Sequence, residues 1–281
     1  MTLGVAGVGL IGGSIALRAR ERGRRVIGFD LDPRAAALVD EVAPSLDALG
    51  ERARTLVLAL PLDATLEAIR RLRGRSDYDL VLDVASVKVP VAEAAHGWAP
   101  FVATHPIAGA ETAGPAAARA DLFEGRTWAY VPAGDAQAAA AVDRARAFIE
   151  TMGGRAFPVE AAAHDRALAL TSHLPQVVVS VLAALVAGGE PPSELAGPGL
   201  ASTLRLAGSP WSLWEPIVRA NAEPLAALLR ELGGRLQGLA ADLQAGEVGR
   251  LASYFEDAHV GYERLVRARR PETNSAAPPL S

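Results

Sequence analysis

Five histidines, His96, His105, His164, His173 and His259, are the side chains of this sequence suited to move a proton near neutral pH. His105 is set apart by its neighbours. The β-rich run Phe101–His105 ends on it, and Pro106-Ile107-Ala108-Gly109 turns the chain immediately afterwards. An imidazole at the carboxyl end of a parallel strand faces the crevice where open α/β sheets take their ligands, which makes His105 a candidate general base. Ser86 follows the run Leu80–Val84 and faces the same crevice; the residues fit either a substrate-directed hydroxyl or the N-cap of a short helix with an exposed Lys88. His173 stands before Leu174-Pro175, where the proline bends a helical path; the imidazole is either aimed into a cleft or is a hydrogen-bonded core residue. Arg205, among the small and apolar residues Ser202–Gly208, is either a surface cation or a fork for a carboxylate. His164 and His173 lie on opposite faces of any straight helix that carries both, and the chain has no cysteine, so no metal site is expected.

The chemistry these groups imply needs a cofactor, and the amino terminus offers one. Gly7-Val8-Gly9-Leu10-Ile11-Gly12 follows a predicted strand, opens a predicted helix and is succeeded by Asp30 at the end of the next strand. In such a loop Gly7 makes the tight turn, Gly9 lets the backbone approach a pyrophosphate and Gly12 lets helix pack on strand. The free amides of Leu10, Ile11 and Gly12 meet phosphate charge, and Asp30 accepts from ribose hydroxyls while repelling a 2′-phosphate. NAD is therefore expected over NADP, although Arg34 stands close enough in sequence to pair with a phosphate.

These positions require an α/β framework. Strands are predicted near Thr2–Ala6, Val26–Asp30, Thr55–Leu60, Leu80–Val84, Phe101–His105, Thr127–Val131 and Arg155–Val159, with helices over Ile11–Arg22, Ala64–Arg73 and Asp135–Met152. From Ala161 the β-branched runs yield to alanine- and leucine-rich stretches at Ala161–Ser172, Gln176–Ala187, Ser212–Asp242 and Gly246–Arg269, broken by a glycine- and proline-rich loop over Gly188–Gly199. The expected plan is a Rossmann-type dinucleotide-binding domain over 1–159, an all-α substrate and dimerisation domain over 160–270, and a disordered tail over 271–281. With 281 residues, two domains fit the usual size of about 100–150 residues each.

Composition removes whole classes of function. Half the residues are hydrophobic, 21% are charged and the net charge is −4, which disfavours bulk nucleic-acid binding. No run approaches the ~20 consecutive apolar residues of a membrane span, and MTLGVAG lacks the basic segment of a secretory signal. A cytoplasmic enzyme without a membrane partner is expected.

Taken in order, Gly7–Gly12, Asp30, Ala85-Ser86-Val87-Lys88, Thr104–Gly109, Leu122–Arg126, Ser172-His173-Leu174-Pro175 and Thr203-Leu204-Arg205 resemble the prephenate and arogenate dehydrogenases of tyrosine biosynthesis, over roughly residues 3–265. The resemblance implies NAD-dependent oxidative decarboxylation of a cyclohexadienyl ring. It gives His105 the role of accepting the C4 hydroxyl proton, Ser86 that of orienting the hydroxyl, and Arg205 and His173 those of holding substrate polar groups. It also points to Glu111 near the mouth of the site, to Trp214 in the substrate region, and to a homodimer through intertwined helical domains. Two departures stand out. Gln176 replaces a second histidine of many relatives, and Ser202 replaces an aspartate of some, which leaves redox chemistry intact but bears on side-chain specificity.

Prephenate is expected over arogenate, whose amine calls for a nearby acid. Among rivals, the β-hydroxyacid dehydrogenases place a catalytic lysine in the second half, whereas Lys88 is the only lysine here. An imine reductase and a non-catalytic NAD-binding sensor are the remaining alternatives.

Overall fold

A computed structural model describes residues 2–75, 77–109, 112, 114–132 and 136–269. Its centre is a parallel sheet built from β1 (Leu3–Ala6), β2 (Val26–Phe29), β3 (Glu41–Val42), β4 (Thr55–Leu58), β5 (Leu80–Asp83) and β6 (Phe101–Val102), in the order β3-β2-β1-β4-β5-β6. β1, β4 and β5 are buried along their whole length, which is why they read as unbroken apolar runs and not as alternating ones. Leu3, Leu56 and Leu58 are fully buried, each contributing about 1.5–3 kcal/mol of apolar transfer. Leu3 pairs with Val26 on one side and Thr55 on the other, so the strand order reverses between β1 and β4. That reversal opens the crevice in which doubly wound folds bind ligands.

α1 (Leu10–Glu21) returns the chain from β1 to β2, packing Ile15, Ala16 and Ala19 inward. α2 (Leu46–Arg52) and α3 (Leu62–Leu72) flank β4, and α4 (Val89–Ala94) follows β5. The two-residue β3 and the seven-residue α2 are too short to give a periodic signal.

The run Phe101–His105 is not one parallel strand. It ends at Val102, and β7 (Thr104–Pro106) starts a second sheet with β8 (Thr127–Tyr130) and β9 (Arg155–Pro158), in the order β7-β8-β9. β7 runs antiparallel to β8, and β8 parallel to β9. His105 thus belongs to the second sheet. The switch occurs because Thr104 turns to Asp83 while Ala103 accepts from Val131. α5 (Ala136–Thr151) covers the junction, with Phe123 and Phe148 packed on the buried Trp128.

Helices make up the rest. α6 (Ala161–Leu168), a π-helical turn (Ala169–His173) and α7 (Leu174–Gly188) form one continuous run, with Pro175 accommodated in the first turn of α7. α8 (Pro198–Leu204) follows the glycine-rich break. The alanine- and leucine-rich stretch over 212–242 falls into two helices, α9 (Trp211–Ala220) and α10 (Ala222–Gln244), separated at Asn221, and α11 (Gly249–Arg269) completes the described chain. Residues 271–281 lie outside it.

The chain divides into compact units over 1–225 and 226–281. Within the first unit the Asp165 side chain of α6 accepts the amides of Lys88 and Val89. Within the second unit, Arg235 pairs with Glu231 along α10.

Candidate active site

The glycine loop fits a dinucleotide by a test of space. Gly7 has φ +85°, and a Cβ there would lie 2.2 Å from the Ala59 carbonyl oxygen. At Gly12 a Cβ would lie 1.8 Å from the Gly7 oxygen, so both glycines are required by protein packing. At Gly9 a Cβ would meet nothing within 4 Å. That open space stands over the start of α1, which has no side-chain cap and no acidic residue in its first turn, leaving the amides of Leu10 and Ile11 for phosphate oxygens. Asp30, just past β2, accepts from the Val8 amide at 2.6 Å and the Asp32 amide at 2.8 Å, which fixes its carboxylate beside the loop. Arg34 is held by Asp32 at 2.6 Å.

His105 is positioned through its neighbour. Every polar atom of buried Thr104 is engaged: its amide donates to Asp83 Oδ1 (2.8 Å), its hydroxyl donates to the Asp83 carbonyl and accepts from Trp128 Nε1 (3.0 Å), and its carbonyl accepts from Lys88 Nζ (2.7 Å). Lys88 also pairs with the Asp83 carboxylate. Lys88 is wholly buried, not exposed, and caps α4 in the place where Ser86 was one expected N-cap. Burial pushes the Asp83 carboxyl up and the Lys88 ammonium down from their ordinary ranges, each opposed by the partner's charge.

The half-buried His105 ring meets His164, with His105 Nδ1 2.9 Å from His164 Nε2. Burial, then the charge of Lys88, then those of His164 and His173, hold its pKa well below 6.5, so the imidazole is neutral at physiological pH. His164 Nδ1 lies 2.7 Å from Asp165 Oδ1, and the Asp165 carboxylate accepts the amides of Lys88 (2.7 Å) and Val89 (2.8 Å).

His173 reaches the same cluster from the far end of the π turn. The wider turn removes the straight-helix geometry that separates His164 from His173. Asn221, in the break between α9 and α10, donates to the Asp165 carbonyl (2.7 Å) and to His173 Nδ1 (3.0 Å). His173 Nε2 therefore carries its proton. Buried, it has no partner among the described residues, and neither does the Trp214 indole N–H, whose ring meets His173 edge-on at 5.9 Å. Two orphaned donors cost about 1–3 kcal/mol each until an acceptor arrives. Desolvation also lowers the His173 pKa, against the charge of Asp165.

Family models fix where this arrangement belongs. One described as "Prephenate dehydrogenase, nucleotide-binding domain" matches residues 14–157, and one described as "Prephenate dehydrogenase, dimerization domain" matches 160–257. The chain belongs to the prephenate dehydrogenase family. It is an oxidoreductase of that family, 32% identical over 85% of its length to a probable prephenate dehydrogenase of Streptomyces niveus, 68% of which is covered. The crystal structure of Synechocystis arogenate dehydrogenase matches at 28% identity and a TM-score of 0.78, covering 94% of this chain and all of that one. The fold also matches Aquifex aeolicus prephenate dehydrogenase, solved with hydroxyphenyl propionate and NAD+, at a TM-score of 0.84 and 22% identity, over 94% of this chain and 98% of that one.

Within this prephenate dehydrogenase fold the structure brings His105, His173 and Trp214 into one neighbourhood. Ser86 is half-buried in the loop between β5 and α4, next to the elements that hold His105. Arg205 is exposed at the start of a short 3-10 turn, Arg205–Gly208, and that turn is tied to α7 by the buried Gln176, whose amide donates to the Leu206 carbonyl at 2.9 Å. Gln176 thus has a structural partner. Glu111 lies outside the described residues. Among the described residues no cluster of three or more His, Asp or Glu side chains is arranged to hold a metal. Asp83, Thr104, Asp165 and Asn221 were not among the sequence-derived candidates. An acid closing the apolar strand Leu-Val-Leu-Asp and the adjacent pair His164-Asp165 were the signals available for two of them.

Proposed function

We propose that this chain oxidises prephenate with NAD, releasing carbon dioxide and 4-hydroxyphenylpyruvate, with His105 as the proton acceptor. The observation that carries the reading is an imidazole whose Nδ1 faces His164 Nε2 at 2.9 Å, which leaves Nε2 for a substrate hydroxyl, while burial holds its pKa low. Bound NAD supplies the acceptor for the hydride that leaves C4 of the ring. His105 takes the C4 hydroxyl proton as the carbonyl forms, and returns it to the same oxygen when the C1 carboxylate departs as carbon dioxide and its bonding pair aromatises the ring. Ser86 orients that hydroxyl. His173 Nε2 and Trp214 Nε1 offer donors to substrate oxygens, and Arg205 pairs with a carboxylate. Such orientation is worth several kcal/mol of barrier, since reacting groups are held in near-attack geometry.

Prephenate is favoured over arogenate because Asp83 and Asp165 are consumed by internal partners, and the acid some relatives place three residues before Arg205 is Ser202 here. Steady-state assays with each substrate and with NAD or NADP test this. NADH formation with prephenate is expected, and His105→Asn should lower kcat by about 10²–10⁴ while NAD affinity is kept. Undiminished turnover in the variant removes His105 from the role.

A second copy of the chain is the proposed partner of the helical half. The run Ala161–Gly188 is apolar and long enough to cross a membrane on length and composition alone. Its amino-terminal part, however, carries His164, Asp165 and His173 on polar partners inside the first unit, and α7 exposes Val181 and Leu185 at 63% and 71%. An apolar helix face of this kind is what an obligate dimer covers. Sedimentation of the cytoplasmic enzyme should give a dimer, and Leu185→Glu should shift it toward monomer; a monomeric wild-type chain at micromolar concentration defeats the proposal.

A further inference from the structure

We propose that Asp165 and His164 are positioning residues that set the tautomer of His105, so that the nitrogen facing substrate is the one without a proton. The donors at the start of this chain of bonds have a fixed direction. The backbone amides of Lys88 and Val89 can only donate, and they donate to Asp165 Oδ1 and Oδ2 at 2.7 and 2.8 Å. Asp165 is 3% exposed, and a carboxylate so bonded is an acceptor on both oxygens. His164 Nδ1, 2.7 Å from Asp165 Oδ1, must therefore carry hydrogen. In neutral His164 the other nitrogen, Nε2, is then a lone pair, and it faces His105 Nδ1 at 2.9 Å. His105 Nδ1 must donate. In a neutral imidazole that leaves Nε2 bare, the form a general base needs.

The first step is backbone that cannot be reprotonated, and the Nδ1–H tautomer of His164 carries its direction on to His105. The chain of three side chains also crosses the fold. Asp165 and His164 stand on α6, the two amides belong to the cap and first residue of α4, and His105 stands on β7 of the second sheet. A correct tautomer of His105 therefore reports that α6 is seated on the start of α4. The principle is that of the buried aspartate in serine-protease triads, where replacing the acid by its amide leaves geometry intact and reverses the histidine tautomer.

The inference deepens the assignment of His105 as a base, yet it can be read without turnover. In the full chain labelled with 15N-histidine, the His105 resonances, assigned by their loss in His105→Asn, should show hydrogen on Nδ1 and none on Nε2. Asp165→Leu removes the acceptor of His164 Nδ1, so it should release His105 into a mixture of tautomers and lower kcat with prephenate by about 10²–10⁴, with NAD affinity kept. His164→Phe removes the acceptor of His105 but leaves Asp165 on its two amides; it should likewise release His105 into a mixture of tautomers, and it decides the matter if Asp165→Leu fails to fold. A wild-type His105 protonated on Nε2 overturns the proposal, as does a folded variant of either kind whose His105 tautomer and kcat are those of the wild type. A wild-type chain that keeps the Nδ1–H form but leaves prephenate unoxidised supports the tautomer assignment and overturns only the functional reading.

Discussion

Lys88 and Asp83 form an ion pair with neither side chain exposed to solvent. The pair sits where the parallel sheet hands over to the second sheet: Asp83 ends β5 and also accepts the Thr104 amide, while Lys88 donates to the Thr104 carbonyl. Taking two charges out of water is costly, and the cost is offset here by their attraction and by the extra bonds to Ala85 and Thr104. What the pair secures is the backbone immediately before His105.

Lys88→Met should therefore destabilise the chain by about 3–5 kcal/mol in urea unfolding, because it strands a buried carboxylate. Adding Asp83→Leu should recover only part of the loss, since the Ala85 and Thr104 amides then lack their acceptor. A single variant within about 1 kcal/mol of wild type contradicts this account, because surface pairs have that magnitude.

The two depressed histidines give the pH dependence a definite sign. His105 and His173 are neutral when folded at pH values where the unfolded chain, titrating near 6.5, takes up protons. Their contribution to stability is complete above 6.5 and is lost as pH falls from 6.5 through the folded values. Unfolding free energy should decline on acidification from pH 7 to 5, less so in His173→Gln. The acid limb of kcat/KM for prephenate should likewise lie well below 6.5; a limb at or above that value assigns the base to another group.

Two glycine substitutions separate packing from cofactor binding. Gly12→Ala drives a methyl to 1.8 Å from the Gly7 oxygen, so loss of folded protein is expected. Gly9→Ala meets no protein atom within 4 Å and should leave the melting temperature unchanged. Its NAD affinity should fall on the order of tenfold, about 1.4 kcal/mol, as measured by titration calorimetry. Equal NAD affinity in Gly9→Ala places the pyrophosphate elsewhere.

The sequence by itself determined what depends on neighbours along the chain. Apolar runs forecast the buried parallel strands, and the spacing of Gly7, Gly9 and Gly12 forecast a strand, a tight turn and a helix start, whereas the turn expected from Pro106 to Gly109 is not there: Pro106 pairs with Trp128 in β7 and the Ile107 amide continues the pairing to Thr127. Such signals are legible because periodicity and turn chemistry act over a few residues. Only the tertiary structure decided which groups meet. Lys88 appears from its neighbours as an exposed cation, yet it is buried because Asp83 and the Thr104 carbonyl converge on it. His164 lies 59 positions from His105, and Asp165 lies 77 from the Lys88 amide it accepts. The direction of a proton along that chain of partners is set by distances between segments that sequence order leaves unspecified, and packing of α6 against the loop after β5 supplies them.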